Sequence, residues 1–245
     1  MSFQKNFFKN KYLYSRLTPH VSRLDMQRKL QLTNDGSHTL AIPEMGVTYH
    51  SQHGAMGESR HVYINEGLRP FLHKSNDHPI NILEMGFGTG LNALLTLKEA
   101  IIHKQPVHYT AIEPFPLTDK ETERINHGNL LSLQKEFLAL HAVLWEEDIS
   151  IDDFFTLKKM QVSLADVRFT NNFHCIYFDA FSPTVQPELW TQPVFEKLYQ
   201  FLLPGGTLVT YCSKSEVRRA MVAAGFTVTK IPGPWGKREM VRAGK

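Results

Sequence analysis

The chain has 245 residues, of which 42% are hydrophobic and 21% are charged, and its formal net charge is +3. This composition excludes a disordered chain, and no apolar run is long enough for a signal peptide or a membrane span. We therefore expect a globular, cytoplasmic protein that has no membrane partner. Cys175 and Cys212 lie in apolar runs and are expected to be buried free thiols.

Residues 1–73 are predicted to form an N-terminal extension that contains a small β-hairpin and lines a pocket. Short alternating apolar runs within residues 39–50 predict the hairpin, and a helix is expected from near Glu58 to His73. Residues 5–28 combine lysines and arginines with aromatic side chains. This pattern is typical of a nucleic-acid contact and also of a solvated surface with aromatic anchors, so both interpretations stay open.

The remaining residues, 74–245, begin with a polar turn and then alternate strands with helices. The apolar patterns predict strands at 80–84, 107–113, 161–165, 174–179, 207–212, 227–231 and 238–242, and helices at 91–103, 187–203 and 215–224. Strands that alternate with helices favour a parallel sheet covered on both faces. We therefore predict an α/β, Rossmann-like domain with a mainly parallel seven-stranded sheet.

A glycine-rich loop follows the first predicted strand of this domain. Gly86, Gly88 and Gly90 are spaced as Gly-x-Gly-x-Gly, with Glu84 before them and Glu113 at the end of the next strand. The loop has Leu91 where a dinucleotide fingerprint has its last glycine, and it lacks the Gly-Lys-Ser/Thr of a P-loop. S-adenosylmethionine carries adenosine without phosphate, so two acids suit its ribose hydroxyls and ammonium group. The alternative is a packing turn beside two surface acids.

Two further aspartates follow later predicted strands. Asp166 is a candidate partner for the adenine amino group, or a simple loop cap. Asp179 ends an apolar strand at the same edge as the glycine loop, where a carboxylate can hold an attacking amine. Phe181 lies two residues on and can stack on a planar base. In the alternative interpretation Asp179 caps a turn and Phe181 belongs to the core.

Five segments resemble the methyltransferase domain of the MnmC family and its standalone relatives. They are residues 35–40, 49–62, 84–92, 179–183 and 233–240. The most specific are Tyr-His-Ser-x-His-Gly-Ala at 49–55 and Lys-Arg-Glu-Met at 237–240. The resemblance implies a class I methyltransferase that uses S-adenosylmethionine to methylate 5-aminomethyl-(2-thio)uridine at the wobble position of tRNA. Its partner would be the anticodon stem-loop, and no second glycine-rich unit for a flavin-dependent oxidase is seen.

The resemblance also carries roles over to individual residues. It places Glu58, Ser59 and Asn92 at the cofactor, and Tyr49, His53, Lys237 and Arg238 at the substrate. The histidines of the 49–62 segment lack cysteine or carboxylate partners at metal-ligand spacing, so we expect no metal.

Two other classes of function stay open. One is another enzyme on the same fold, an aminopropyltransferase of the spermidine synthase kind or a small-amine N-methyltransferase. The other is a non-catalytic tRNA- or cofactor-binding module. The acids Glu84, Glu113 and Asp179 favour an enzyme over the second alternative.

Overall fold

The computed structural model describes residues 27–72, 78–169 and 172–245. Nearly all of the basic segment 5–28, and the predicted domain boundary at residues 73 and 74, lie outside the described residues. Within the described part no helix is both long and apolar enough to cross a membrane. The α/β, Rossmann-like fold is confirmed, and both cysteines are buried and free.

The described chain begins with a small antiparallel sheet of three strands. These strands are β1 (Lys29–Leu32), β2 (His38–Ile42) and β3 (Val47–Thr48), and a short 3₁₀ turn, Pro43–Met45, joins the last two. A continuous helical segment follows as α1 (Ala55–Ser59), a π-helical stretch (Arg60–Leu68) and α2 (Arg69–Leu72). The extension therefore contains the predicted hairpin together with one further strand.

The main sheet has eight strands instead of the predicted seven. They are β4 (Ile80–Met85), β5 (Val107–Ile112), β6 (Asp148–Asp152), β7 (Phe155–Met160), β8 (Phe173–Phe178), β9 (Leu202–Thr210), β10 (Thr227–Pro232) and β11 (Glu239–Gly244). Their order is β10-β11-β9-β8-β4-β5-β7-β6. The five strands from β9 to β7 are parallel, while β6 and β11 run antiparallel to their neighbours.

Helices cover both faces of this sheet and bury two apolar clusters against it. The helices are α3 (Leu91–His103), α4 (Asp119–Thr122), α5 (His127–Leu131), α6 (Gln134–Ala142), α7 (Gln192–Phe201) and α8 (Ser215–Ala223), with a 3₁₀ turn at Pro187–Trp190. The central strands β4, β5 and β8 are buried along almost their whole length. Their near-continuous apolar sequences are those expected of strands covered on both faces.

Three predicted boundaries are wrong. The third strand is Phe155–Met160, and residues 161–165 form the connection after it. The observed strand contains two lysines, which in the sequence indicate an exposed segment. Lys159 is nevertheless buried, and its amino group donates to the His141 carbonyl at 2.5 Å. The predicted helix 187–203 is divided before α7, which has a proline in its first turn. Strand β9 begins at Leu202 and includes the Pro-Gly-Gly sequence.

Candidate active site

Three parallel strands end together at one edge of the sheet. The register aligns Met85 of β4 with Ile112 of β5 and with Phe178 of β8. The residues that follow are joined across the edge: Gly86 N–H donates to the Ile112 carbonyl at 2.9 Å, and Asp179 N–H donates to the Met85 carbonyl at 3.2 Å. This is the edge where open α/β sheets bind ligands. It brings the glycine loop, Glu113 and Asp179 together.

The glycine loop needs its glycines for backbone conformation and for space. Gly86, Gly88 and Gly90 have φ values of 94°, 49° and 72°, in the left-handed region that other residues rarely adopt. A Cβ at Gly86 would lie 3.1 Å from the carbonyl oxygen of Asp179. A Cβ at Gly90 would lie 2.8 Å from Nε2 of His141. The loop is therefore packed tightly between the end of β8 and α6.

Glu113 is buried at the end of β5 and is held by two backbone donors. Its Oε2 accepts from Gly88 N–H at 3.0 Å, and its Oε1 accepts from Phe115 N–H at 2.8 Å. Burial raises the pKa of Glu113, while the two backbone hydrogen bonds act in the opposite direction. Each carboxylate oxygen has a further lone pair, so Glu113 can also accept hydrogen bonds from a ligand's hydroxyl groups.

Asn92 joins two carboxylates at the start of α3. Its side-chain nitrogen donates to Oε1 of Glu84 at 2.9 Å and to Oδ2 of Asp179 at 2.9 Å. Burial raises the pKa of Glu84 well above its ordinary value and also raises the pKa of Asp179. The amide therefore fixes the Asp179 carboxylate from behind, and a raised pKa makes that carboxylate a stronger proton acceptor than an ordinary aspartate.

A cavity of about 410 Å³ extends along this edge of the sheet. Its size is within the range of small-molecule sites. At one end, here called the glycine-loop end, it is lined by Gly86, Gly88, Glu113, Ser163 and Leu164. The other end lies toward β9. In the sheet, β9 is four strand spacings, or roughly 19 Å, from β7, the strand that precedes Ser163 and Leu164. We call this other end the Lys237 end, and Glu58, Tyr211 and Lys237 line it.

The Lys237 end is built from two distant parts of the chain. The Lys237 ammonium forms a close ion pair with Oε1 of Glu58, 179 residues away in sequence. It also lies 4.0 Å from the centre of the Tyr211 ring. The other oxygen of Glu58 accepts from Ser51 N–H at 2.9 Å. The pair therefore holds the loop between β10 and β11 against the N-terminal extension beside the cavity.

Aromatic side chains form the wall next to Asp179. The rings of Tyr49 and Phe181 meet edge to face, with centroids 5.2 Å apart. The Tyr211 hydroxyl donates to the Ala180 carbonyl at 2.9 Å and so fixes the turn that follows Asp179. Planar walls beside a carboxylate can hold a planar base that carries an amino group.

The cavity collects most of the residues that the sequence singles out. The lining includes Gly86, Gly88, Asn92, Glu113 and Asp179 among the predicted cofactor and catalytic residues, together with Tyr49, Glu58, Phe181 and Lys237. Tyr49 and Glu58 come from the predicted pocket-lining extension.

Six predicted residues lie outside the lining. Glu84 is buried behind Asn92, Ser59 is fully buried, and Gly90 packs on His141. The other three are on the surface: His53 beside Gly236, Arg238 on the loop between β10 and β11, and Asp166, whose carboxylate accepts from Ser163 Oγ at 2.6 Å. The structure thus brings Ser163 and Leu164, and not Asp166, into the lining of the cavity, because the preceding strand ends five residues earlier than predicted.

Sequence reasoning missed a set of histidines around Thr89 of the glycine loop. Nε2 of His50 and Nε2 of His127 lie 2.8 Å and 3.2 Å from Thr89 Oγ1. His141 Nε2 donates to the Thr89 carbonyl at 3.2 Å. Burial lowers the pKa of all three, that of His141 to about 4. These histidines come from separate segments: His50 lies in the 49–55 motif, but no local motif marks His127 or His141.

The donor set of the cavity fits S-adenosylmethionine. Lys237 is the sole lysine or arginine among the described lining residues, and it is at the opposite end from the glycine loop. The glycine-loop end thus offers the Glu113 carboxylate and apolar walls of Ile112 and Leu164. These suit an adenosine without phosphates. The fold and this site define a Rossmann-like, S-adenosylmethionine-dependent methyltransferase.

Comparison with known proteins agrees with this class. A family described as S-adenosyl-L-methionine-dependent methyltransferase matches residues 125–245. The chain matches this family's model over just under half of its length. It is 32% identical over 204 residues to the tRNA 5-methylaminomethyl-2-thiouridine biosynthesis bifunctional protein MnmC of Leptospira interrogans. That match covers 79% of this chain and 32% of the relative, so the chain spans about a third of the length of the curated relatives it matches.

Two solved structures share the fold. MnmC2 from Aquifex aeolicus has a TM-score of 0.68 at 24% identity, over 98% of this chain and 83% of that one. Spermidine synthase from Thermotoga maritima has a TM-score of 0.53 at 16% identity, over 90% and 69% of the two chains. At such identities the similarity concerns the fold alone.

Proposed function

We propose that this protein transfers the methyl group of S-adenosylmethionine to the amino group of 5-aminomethyl-(2-thio)uridine at the wobble position of tRNA. The observation that carries the proposal is the carboxylate of Asp179, which lines the cavity between the glycine loop and the aromatic wall. The Leptospira relative, named for the biosynthesis of the methylaminomethyl nucleoside, supports the same substrate. A tRNA substrate also supports a cytoplasmic location.

The glycine-loop end would hold the cofactor. Glu113 accepts hydrogen bonds from the ribose hydroxyls, and the glycines let the backbone approach the cofactor closely. Glu84 acts indirectly, because it fixes Asn92 and through it Asp179. When bound, S-adenosylmethionine supplies an electrophilic methyl group on a sulfonium sulfur. Few other groups are needed for methyl transfer, since most of the catalysis comes from orientation.

Asp179 would act on the substrate amine in two ways. As a hydrogen-bond acceptor it holds the amine so that the nitrogen lone pair faces the methyl group. As a base it takes the proton that the amine must lose to be a neutral nucleophile, directly or through water. The raised pKa of Asp179 suits the second role, because it makes the carboxylate a stronger base. Burial, which causes this shift, also excludes competing water.

The Lys237 end would receive the nucleoside and the adjoining RNA backbone. Tyr49, whose ring packs beside Gly88, and Phe181 would form the wall between the two ends against which the uracil ring packs. Lys237 and the exposed Arg238 supply positive charge for phosphate groups. An anticodon stem-loop is the expected partner, since its unpaired wobble base can leave the stack and enter a cavity.

The test is nucleoside mass spectrometry of tRNA that carries 5-aminomethyl-2-thiouridine, after incubation with the protein and S-adenosylmethionine. We expect one added methyl group on that nucleoside and on no other. A parallel reaction with decarboxylated S-adenosylmethionine and putrescine tests the aminopropyltransferase alternative. Spermidine formation without tRNA methylation would replace the proposal with that alternative, and binding of cofactor or tRNA without any turnover would leave a binding module.

A further inference from the structure

An exposed tryptophan lies next to the Lys237 end of the cavity. Trp235 has 89% of its surface exposed, more than any other large hydrophobic side chain in the described ranges. Single exposed apolar residues are common on protein surfaces, so exposure alone indicates nothing. The position of this indole, on a loop with a closed backbone, is what needs explaining.

The loop that carries Trp235, residues 233–238, is closed on itself and seated on the N-terminal extension. Gly233 N–H donates to the Arg238 carbonyl at 3.2 Å, and Lys237 N–H donates to the Pro234 carbonyl at 2.9 Å. Gly236 has a φ of 85°, and a Cβ there would lie 2.3 Å from the His53 ring. A larger side chain at Gly236 would have to displace the His53 ring or the loop.

This packing fixes Trp235 at the rim of the cavity. Lys237 reaches inward to Glu58 and lines the cavity, whereas Trp235, two residues earlier, points to solvent. Their Cα atoms are at most about 7.6 Å apart, two Cα–Cα steps. That is the scale of one or two nucleotide steps. A nucleotide next to one held in the cavity is therefore within reach of the indole.

Cationic side chains flank the same rim. Arg238 is exposed on the loop itself. Lys214 is half exposed, and its ammonium lies 3.4 Å from Thr184 Oγ1 on the segment after Asp179. The pKa of Glu239 is lowered mainly by its hydrogen bond from Lys230. Arg238 and Arg218, which is on helix α8, lie close enough to contribute to the same shift. An aromatic face among cations is the arrangement that binds single-stranded nucleic acid.

We propose that Trp235 is a stacking platform for an unpaired nucleotide that flanks the modified uridine. This inference rests on the proposed function, because it takes single-stranded RNA as the partner. Every base has a π-face, so such stacking tolerates sequence and would suit several tRNA species. The indole positions the RNA and takes no part in methyl transfer.

The experiment compares Trp235→Ala and Trp235→Phe with wild type. A matched control is Ile102→Ala, since Ile102 is also a well-exposed apolar residue but lies near the C-terminal end of α3, at the opposite edge of the sheet. The dissociation constant is measured for an anticodon stem-loop, and steady-state methylation is measured on tRNA and on the free nucleoside 5-aminomethyluridine. Calorimetry gives the affinity for S-adenosylmethionine.

We expect Trp235→Ala to weaken stem-loop binding roughly 5- to 150-fold, which corresponds to the loss of about 1–3 kcal/mol for one stacked base. The KM for tRNA should rise with little change in kcat, and Trp235→Phe should recover part of the affinity. Turnover of the free nucleoside, affinity for S-adenosylmethionine and the Ile102→Ala control should stay at wild-type values.

The outcomes separate this inference from the proposed function. If wild type methylates tRNA and Trp235→Ala binds the stem-loop equally well, the stacking role is wrong while the function stands. If Trp235→Ala also loses turnover of the free nucleoside, the residue supports the cavity and does not stack on a neighbour. A wild-type protein that neither binds nor methylates tRNA overturns both.

Discussion

The two ends of the cavity are built differently. The glycine-loop end is made from residues that directly follow neighbouring parallel strands, so the order of the sheet places them. The Lys237 end depends on contacts between segments that are far apart in sequence, of which the pair of Glu58 and Lys237 is the extreme case at 179 residues. The glycine-loop end is therefore specified by residues local to the strand ends, while the Lys237 end, which we propose receives the substrate, is assembled by tertiary packing.

The largest effect on methyl transfer is expected when the Asp179 carboxylate, which lies between the two ends of the cavity, is removed. Asp179→Asn keeps the size of the side chain and can still contact Asn92, but it loses the charge and the ability to accept a proton. We expect kcat for methyl transfer to fall by roughly 10²–10⁴-fold, the usual contribution of a general base. Single-turnover assays measure this loss, and affinity for S-adenosylmethionine by calorimetry should change little. Wild-type turnover would remove Asp179 from the mechanism.

The second prediction tests the glycine-loop end alone. Glu113→Gln replaces an acceptor of two backbone N–H groups with an amide that can satisfy only one of them. Hydrogen bonds to charged groups contribute about 1.5–3 kcal/mol, so we expect the Kd for S-adenosylmethionine to rise roughly 10- to 150-fold. Affinity for tRNA should be unchanged. The exposed Glu44→Gln serves as a control, and a Glu113→Gln protein with wild-type cofactor affinity would contradict this assignment.

The third prediction tests the Lys237 end. Glu58→Gln, Lys237→Met and the double variant form a double-mutant cycle on an ion pair whose carboxylate is buried. Removing one partner leaves the other uncompensated, so we expect a coupling energy on the order of 1–3 kcal/mol in tRNA affinity. Cofactor affinity should be nearly constant across the cycle. Strictly additive effects on tRNA affinity would show that the pair does not act as a unit.

The smallest effect concerns pH and the histidine beneath the glycine loop. Burial lowers the pKa of His141 from 6.5 to about 4, so between these values the unfolded chain takes up a proton that the folded protein resists. The free energy of unfolding should therefore fall as pH decreases from about 6.5 to about 4. His141→Gln retains a donor near Thr89 but cannot be protonated, so its unfolding curve, measured by urea titration, should depend less on pH. Parallel curves for the two proteins would contradict this.

The same contrast explains what could be predicted from the sequence. Apolar runs predict β4, β5, β8 and α3 to within about a residue. The central strands of the sheet, and the helix packed against them, have apolar patterns that no buried polar residue interrupts for long. Strand β7 was missed since Lys159 reads as a surface residue, yet its ammonium is satisfied inside by the His141 carbonyl. That error moved the expected adenine contact onto Asp166.

The Lys237 end was only partly predictable. The resemblance marked Glu58 and Lys237 separately, but nothing in the local sequence couples them, nor does it bring His50, His127 and His141 around Thr89. These arrangements depend on which segments pack together. The contact of Glu84 with the cofactor stays a prediction, and spacing along the chain does not show that this carboxylate is buried and accepts from Asn92.

The central claim is that Asp179 directs an amine of tRNA toward a cofactor held at the glycine-loop end. The most direct test follows a trideuteromethyl label from S-adenosylmethionine into tRNA in one turnover, with wild type and Asp179→Asn both saturated with cofactor. We predict one labelled methyl group on the amino nitrogen of 5-aminomethyl-2-thiouridine with wild type and almost none with the variant. Label on a ring atom or a ribose, or equal labelling by the two proteins, would contradict the claim.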